Sequence, residues 1–134
     1  MKDFKTVLCN GCYDLVHAAH IKLLKHARSL GDTLIVAIDS DRRVAEMKGA
    51  GRPVNKAMDR GEFLQAIKGV ALVVEFDSED ELRTWITELQ VDILVVGSEY
   101  RDKKVVGSDL VKEVVFFDKI PGYSSTSIIE GNNY

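Results

Sequence analysis

Uninterrupted apolar runs alternate with helical patterns along this chain, and they constrain its fold more than any other feature. The clearest run, residues 34–38, is Leu-Ile-Val-Ala-Ile, with no polar side chain between its members. Such a run is typical of a parallel strand that is covered on both faces. Because parallel neighbours need a crossover connection, strands that alternate with helices predict a doubly wound α/β sheet.

Five segments are predicted as strands and at least four as helices. The length of 134 residues fits one domain, so we expect a single α/β, Rossmann-like domain over 1–134, with a five-stranded parallel sheet flanked by helices. The predicted strands are residues 4–9, 33–38, 70–76, 91–96 and 113–118. The helical patterns follow His17 and cover 42–47, 57–67 and the segment after Ser78.

Charge and hydropathy exclude several classes of partner. The formal net charge is −3 with both signs interspersed, so no basic stripe indicates a nucleic-acid partner. There is no apolar run of transmembrane length and no signal-peptide layout at the N-terminus. We therefore expect no membrane partner and a cytoplasmic location.

In doubly wound sheets the ligand lies beyond the carboxyl ends of the strands, where the strand order reverses. This rule selects four segments: residues 10–20, 39–55, 97–100 and 119–126. In the first of them an apolar strand leads through Gly11 to a helix start that carries His17 and His20. The unpaired N–H groups at a helix start favour anions, so this segment predicts a phosphate site.

His17 and His20 are three residues apart and would share one face of the first helical turn. There they could stabilise negative charge that develops on transferring phosphate oxygens. The alternative is a pair of surface or capping histidines. Their position at the ligand end of the first strand favours the phosphate interpretation.

Three cations in the second segment are further candidates. Lys48 and Arg52 lie in a glycine-bearing loop and could bind phosphate, although ordinary solvated charges fit the pattern as well. Arg60 lies at a helix start, where the macrodipole does not favour a cation, so it indicates an anionic partner. An ion pair with Asp59 or Glu62 explains Arg60 equally well.

The last segment contains Ser124, Ser125 and Thr126, which read first as caps for a final helix. They also offer hydroxyl donors at a second helix start, where another phosphate could bind. Two such helix starts at one sheet edge suit a triphosphate better than a monophosphate.

Cys9 and Cys12 form a C-x-x-C pair that could be a redox pair or half of a zinc site. A zinc site would need two more ligands, and His17 and His20 are the nearby candidates. The favoured interpretation is structural: Cys9 ends a buried strand, and Cys12 is a small residue in a tight turn. We therefore expect no metal held by protein side chains alone.

Two motifs resemble those of a known family. Residues 11–20, GCYDLVHAAH, resemble the G-x-F-D-x-x-H-x-G-H signature of the cytidylyltransferase-like nucleotidyltransferases, and residues 122–129, GYSSTSII, resemble their I-S-S/T-T-x-I signature. Within that family the likeness is greatest to the adenylyltransferase half of bacterial ADP-heptose enzymes, through residues 37–41, 48–55 and 106–108. Ala19 departs from the motif by replacing its second glycine.

The resemblance implies an enzyme that transfers a nucleoside monophosphate from ATP or CTP to a phosphate group and releases pyrophosphate, with Mg²⁺ bound to the triphosphate. AMP transfer to a phosphorylated sugar such as heptose 1-phosphate is the first expectation, and CTP:glycerol-3-phosphate cytidylyltransferase is the alternative. A homodimer is expected from the family. A nucleotide-binding module without turnover is the alternative of another class, and a phosphorylated polyol is an alternative acceptor.

The resemblance also implies roles for individual residues. Catalytic roles fall to His17, His20 and Lys48. Contacts with the acceptor substrate fall to Asp41, Lys48, Arg52 and Arg60. Nucleotide-binding roles fall to Asn10, Gly11, Cys12, Tyr13, His17, His20, Gly97, Glu99, Tyr100, Lys119, Tyr123, Ser124, Ser125 and Thr126.

Overall fold

The computed structural model describes residues 4–16, 18–98 and 101–118, and strands alternate with helices through them. No helix in these ranges is long and apolar enough to cross a membrane. The elements are β1 (Thr6–Gly11), α1 (Ala18–Ser29), β2 (Thr33–Asp39), α2 (Asp41–Lys48), α3 (Ala57–Gln65), β3 (Val70–Phe76), α4 (Glu79–Glu88), β4 (Ile93–Gly97), a 3₁₀ turn (Ser108–Leu110) and β5 (Glu113–Phe117).

The five strands form one sheet in the order β3-β2-β1-β4-β5, and every pairing is parallel. The predicted fold class, a Rossmann-like α/β sheet, is therefore confirmed. From β1 the chain passes to β2 on one side, and it later returns to β4 on the other side. The order reverses between β1 and β4, so the ligand crevice of such a sheet lies beyond Gly11 and Gly97, their last residues.

Alternate strand residues point to two separate apolar cores, one on each face of the sheet. On one face Val7 of β1 packs with Leu24 of α1 and Leu64 of α3. On the other face Leu8 packs with Ile86 of α4. Burial on both faces is the physical reason why these strands are continuous apolar runs.

Serine side chains cap the starts of two of the helices. The Ser40 hydroxyl accepts a hydrogen bond from Arg43 N at 3.2 Å, and the Ser78 hydroxyl accepts one from Glu81 N at 3.1 Å. Each bond satisfies a backbone donor that the helix itself leaves unpaired. The Ser40 cap starts α2 directly at the carboxyl end of β2, and α2 ends at Lys48.

Strand β1 extends two residues further than the apolar pattern indicated. Asn10 pairs with Ala37 and Gly11 pairs with Ile38, so the backbone ladder continues through the predicted turn. Ladder hydrogen bonds use only main-chain groups, and a polar side chain or a glycine therefore does not end the strand.

Candidate active site

The turn that follows β1, residues 12–14, is here called the β1 turn. Tyr13 has a positive φ of 52° and its ring lies in the core beside His20, with the ring centroids 5.2 Å apart. Burial raises the pKa of Tyr13 well above its usual value, so the phenol stays protonated. The predicted contact of Tyr13 with a nucleotide would therefore come from its backbone.

Gly11 leaves room for that ring. A Cβ atom at Gly11 would lie 3.1 Å from Cε2 of Tyr13, closer than side chains normally pack. The register places Gly97 level with Gly11, because both follow the Cys9–Val95 pair by two residues. The carboxyl ends of β1 and β4 therefore present two glycines side by side at the predicted crevice.

Asp14 holds a second loop against the β1 turn. Its fully buried carboxylate accepts hydrogen bonds from Arg52 Nε at 2.7 Å, Val54 N at 2.9 Å and Asn55 N at 2.8 Å. In return Asn55 Nδ2 donates to the Asp14 carbonyl oxygen at 2.6 Å. Asp14 thereby joins the β1 turn to residues 48–55, here called the basic loop.

The hydrogen bonds also control the charge of Asp14. Burial on its own raises the pKa of this carboxyl, but the bonds from Asn55, Val54 and Arg52 outweigh that effect and lower the pKa below its usual value. Asp14 is therefore ionised at neutral pH. The sequence prediction assigned it no role, although the residue occupies the aspartate position of the first motif.

Arg60 is the second residue that joins these segments, from the first turn of α3. Its buried guanidinium donates through Nη1 to the carbonyl oxygens of Cys12 at 2.8 Å and Asp39 at 2.7 Å. Nε donates to the Asn55 carbonyl at 3.0 Å, and Nη2 donates to Asp41 Oδ1 at 2.8 Å. One side chain thus connects the β1 turn, the end of β2, the start of α2 and the basic loop.

This arrangement differs from the expectation that Arg60 contacts substrate. The side chain is fully enclosed, and four protein acceptors occupy its donors. Its carboxylate partner is Asp41 rather than Asp59 or Glu62. Helical spacing suggests neighbours on the same helix, whereas the fold brings Asp41 across from α2. The structure gives Arg60 an internal positioning role in place of a substrate contact.

Asp41 and Arg52 are also engaged with protein groups. Asp41 Oδ1 accepts a second bond from Ala57 N at 2.9 Å, while 41% of its side chain remains exposed. Arg52 is 12% exposed, and its Nη2 atom has no hydrogen-bond partner within the part of the chain that the structure describes. We call Asp14, Asp41, Arg52, Asn55 and Arg60 the carboxyl-edge network.

The charge of Lys48 acts on the β1 turn despite the distance between them in sequence. Burial raises the pKa of the Cys12 thiol, and the positive charge of Lys48 opposes part of that rise. The ammonium group is exposed at the end of α2. The fold therefore brings a predicted catalytic lysine within electrostatic range of the turn at which a phosphate was predicted to bind.

The two cysteines have the properties of protonated thiols. Burial raises the pKa of Cys9 to about 12, and both cysteines are free. Thiolate is the form that attacks disulfides and binds zinc, so this environment does not favour a redox pair. Among the described residues no three His, Cys, Asp or Glu side chains gather where they could hold a metal ion.

Eight of the predicted site residues lie outside the described ranges, and their roles stay predictions. These eight are His17, Glu99, Tyr100, Lys119, Tyr123, Ser124, Ser125 and Thr126. Among the predicted residues that the structure does describe, Asn10, Gly11 and Gly97 lie at the crevice, and His20 lies in the first turn of α1.

A crevice beyond two glycine-ended strands, at the point where the strand order of a parallel sheet reverses, defines a doubly wound α/β protein that binds its ligand there. The family follows from comparison. A model of the cytidylyltransferase-like family matches residues 8–131, and the chain belongs to that family. The resemblance drawn from the two sequence motifs is confirmed.

The similar curated proteins are much longer than this chain. Bifunctional protein HldE of Campylobacter concisus is 46% identical over 126 residues, which are 94% of this chain and 26% of that protein. Bifunctional protein HldE of Gluconobacter oxydans is 44% identical, with 95% of this chain and 27% of that protein covered. The chain therefore spans about a quarter of the length of these relatives.

A solved structure shares the fold over nearly its whole length. The lipopolysaccharide core biosynthesis protein of Thermoplasma volcanium superposes with a TM-score of 0.71 at 25% identity. The match covers 87% of this chain and 98% of the other.

Proposed function

We propose that this chain is a nucleotidyltransferase that transfers AMP from ATP to a phosphorylated sugar, such as heptose 1-phosphate, and releases pyrophosphate. Membership of the cytidylyltransferase-like family supports the reaction type. The similarity to proteins named HldE and to a lipopolysaccharide core biosynthesis protein supports a sugar acceptor.

One observation carries the proposal: the β1 turn and the basic loop are joined by buried ionic hydrogen bonds. Asp14 and Arg60 connect residues that are far apart in sequence: the Asp14–Asn55 bond spans 41 residues and the Cys12–Arg60 bond spans 48. A transfer reaction needs both reacting phosphates in one geometry, and positioning accounts for a large part of its rate. A network that holds two phosphate-type loops together meets this need.

The proposed reaction is a direct displacement at the α-phosphorus. A phosphate oxygen of the acceptor forms the new bond to that phosphorus, and the bond to the bridging oxygen of the β-phosphate breaks, so pyrophosphate leaves. His17 and His20 would stabilise the charge that grows on the phosphate oxygens, and Lys48 would hold the two phosphates together. The unpaired Nη2 of Arg52 is a further donor that an anionic oxygen could satisfy.

Mg²⁺ would supply charge neutralisation when it is bound with the triphosphate. Protein sites for this ion use one or two carboxylates together with substrate phosphates, and a full protein cage is unusual. Asp41 fits that donor set, because its side chain is partly exposed and Arg60 and Ala57 engage only Oδ1.

A homodimer remains part of the proposal, and sedimentation equilibrium of the purified chain tests it.

A matrix of nucleotides and acceptors tests the proposal, with pyrophosphate release as the readout. The four nucleoside triphosphates are each combined with heptose 1-phosphate, a hexose 1-phosphate and glycerol 3-phosphate. We expect release with ATP and a sugar 1-phosphate, and the His20→Ala variant is the loss-of-function control. Release with CTP and glycerol 3-phosphate would replace this function by the cytidylyltransferase alternative. Nucleotide binding without release in every combination would favour a binding module.

A further inference from the structure

A cavity of about 390 Å³ lies between the residues that precede α1 and the first turns of α3. Its apolar wall includes Leu15, Val16 and Phe63, and its polar wall includes Asn55 and Asp59. It opens at the carboxyl edge of the sheet, and Asp14 and Arg60 of the carboxyl-edge network also line it. The cavity is therefore continuous with the candidate active site, on the side of β2 and α3.

Asp59 and Phe63 share one face of α3, because they are four residues apart. Phe63 is 54% exposed, and Asp59 is exposed without a hydrogen bond or ion pair inside the described ranges. An acidic residue in a first helical turn complements the helix dipole, which accounts for Asp59 alone. It does not account for an exposed aromatic ring one turn later that faces the same cavity.

The chemistry of the wall fits a neutral, hydroxyl-rich group. An aromatic ring offers an apolar surface on which the C–H face of a sugar can pack, while a carboxylate accepts hydrogen bonds from hydroxyl groups. A negative carboxylate also repels phosphate, so the phosphate of a ligand would lie away from Asp59. Ligand pockets of this kind combine apolar walls with a few polar groups that fix orientation.

We propose that this cavity binds the polyhydroxyl part of the phosphorylated acceptor, with Phe63 packed against the sugar and Asp59 accepting hydrogen bonds from its hydroxyls. The inference rests on the proposed function, since it names the acceptor side of the same site. The nucleotide occupies the crevice between β1 and β4, whereas the cavity lies on the β2 side of β1. Because Tyr13 and Asp14 of the β1 turn also line the cavity, an acceptor held there would place its phosphate next to that turn.

Two variants and one matched control test the cavity through steady-state pyrophosphate release. Asp59→Asn and Phe63→Ala change its walls, and Glu62→Gln changes an exposed carboxylate of α3 that does not line it. With a sugar 1-phosphate, we expect Asp59→Asn to raise the acceptor KM about tenfold, the value of one hydrogen bond to a charged group. Phe63→Ala should raise it by a similar factor, because the sugar loses an apolar contact surface. The KM for ATP and kcat should stay within about twofold of the wild-type values.

Acceptors with different numbers of hydroxyl groups give an internal comparison. Glycerol 3-phosphate has fewer hydroxyls than a sugar 1-phosphate, so Asp59→Asn should raise its KM less. An unchanged acceptor KM in both wall variants would overturn the inference and leave the proposed function intact. A raised KM for ATP would also overturn it, because the cavity would then hold part of the nucleotide.

Calorimetric titration separates failure of the cavity from failure of the reaction. A hexose 1-phosphate is titrated into the wild-type protein and into the Asp59→Asn variant, without nucleotide. Weaker binding by the variant supports the cavity even when no pyrophosphate is released with any nucleotide. Equal binding by the two proteins, or no binding by either, contradicts it.

Discussion

Two buried aspartates at opposite edges of the same sheet use one kind of interaction for different purposes. At the amino edge, Asp92 Oδ2 accepts a hydrogen bond from Thr6 N at 2.8 Å, and its carbonyl oxygen accepts one from Lys112 N at 3.0 Å. At the carboxyl edge, Asp14 accepts bonds from three groups of the basic loop. Both carboxylates accept hydrogen bonds from main-chain N–H groups, from Thr6 N at one edge and from Val54 N and Asn55 N at the other.

The difference lies in what each aspartate joins. Asp92 joins the beginnings of β1, β4 and β5, which the sheet already holds in register. Asp14 joins two loops that have no strand pairing to each other. Loss of the first interaction should therefore weaken the fold alone, whereas loss of the second should also misplace the candidate active site.

Replacement of Arg60 should have the largest effect. Arg60→Met removes four hydrogen bonds and leaves buried carbonyl oxygens unpaired. We expect the free energy of unfolding to fall by about 3 kcal/mol, at the lower end for a buried ion pair because Asp41 stays partly hydrated. Pyrophosphate release should fall below detection, and urea unfolding provides the stability measurement.

The Arg60→Lys variant sharpens the same comparison. Lysine keeps the positive charge but cannot present the planar donors that bond Cys12, Asp39 and Asn55 together. Compared with Arg60→Met, the Arg60→Lys variant should recover part of the free energy of unfolding and little of the pyrophosphate release. Full recovery of activity would contradict a positioning role that depends on the guanidinium geometry.

Asp14→Asn and Asp92→Asn form the direct test of the two edges. Each should lower the free energy of unfolding by about 1 to 3 kcal/mol, because each leaves a buried donor poorly satisfied. Only Asp14→Asn should also lower kcat/KM for pyrophosphate release, by about tenfold or more. Equal losses of activity in the two variants would show that the edges do not differ in function.

The pH dependence of stability gives a second measure of Asp14. Its pKa is lower in the folded protein than in the unfolded chain, where an aspartate titrates near about 3.9. The stabilisation that the ionised Asp14 carboxylate provides is therefore complete at pH values above the pKa of the unfolded chain. It is lost as the pH falls through the pKa of the folded protein. The stability gap between wild type and Asp14→Asn should narrow in this acidic range, as followed by urea unfolding at several pH values. A constant gap would contradict the lowered pKa.

Substitution of Ala19, in the first turn of α1, should have an intermediate effect on activity and stability. Ala19→Gly restores the second glycine of the family motif and removes a methyl group in the first turn of α1. We expect the KM for the nucleotide to fall by up to about tenfold, the value of one methyl group in a pocket. The helix should lose about 0.5 to 1 kcal/mol. An unchanged KM would show that the methyl group does not face the nucleotide.

The smallest effect should come from an exposed ion pair between α4 and the 3₁₀ turn at Ser108–Leu110. Arg83 donates to both carboxylate oxygens of Asp109, at 2.8 and 3.0 Å, and this bond lowers the pKa of Asp109 to about 2. Exposed pairs contribute little to stability, because water and salt screen them. Asp109→Asn should leave the urea midpoint at pH 7 and the rate of pyrophosphate release unchanged. A loss of activity would extend the functional region beyond the carboxyl edge.

Local patterns predicted the elements well, for reasons that act over a few residues. The predicted strand at 70–76 coincides with β3, and the helices predicted over 42–47 and after Ser78 agree with α2 and α4. Gly31, which follows α1, meets a requirement that no local pattern displays. A Cβ there would lie 2.7 Å from Cγ2 of Val7, so packing against β1 demands glycine.

The site was predicted less completely. The sequence placed Lys48 near a phosphate-type turn through the rule for parallel sheets, and the charge of Lys48 at Cys12 agrees with that placement. The sequence gave no indication of the role of Asp14, because its hydrogen-bond donors, Arg52, Val54 and Asn55, are 38 to 41 residues away along the chain. A hydrogen bond across that separation has no periodicity that a linear pattern could display.

By itself the sequence determined the strand and helix order, the parallel sheet and the family, because hydrophobic runs, caps and motif spacing are local properties. The tertiary structure alone decided which charged side chains were buried and which partners they received. Arg60 shows the reason: burial of a guanidinium is favourable only where several acceptors converge, and here they come from four separate segments. Only the folded chain brings those segments together.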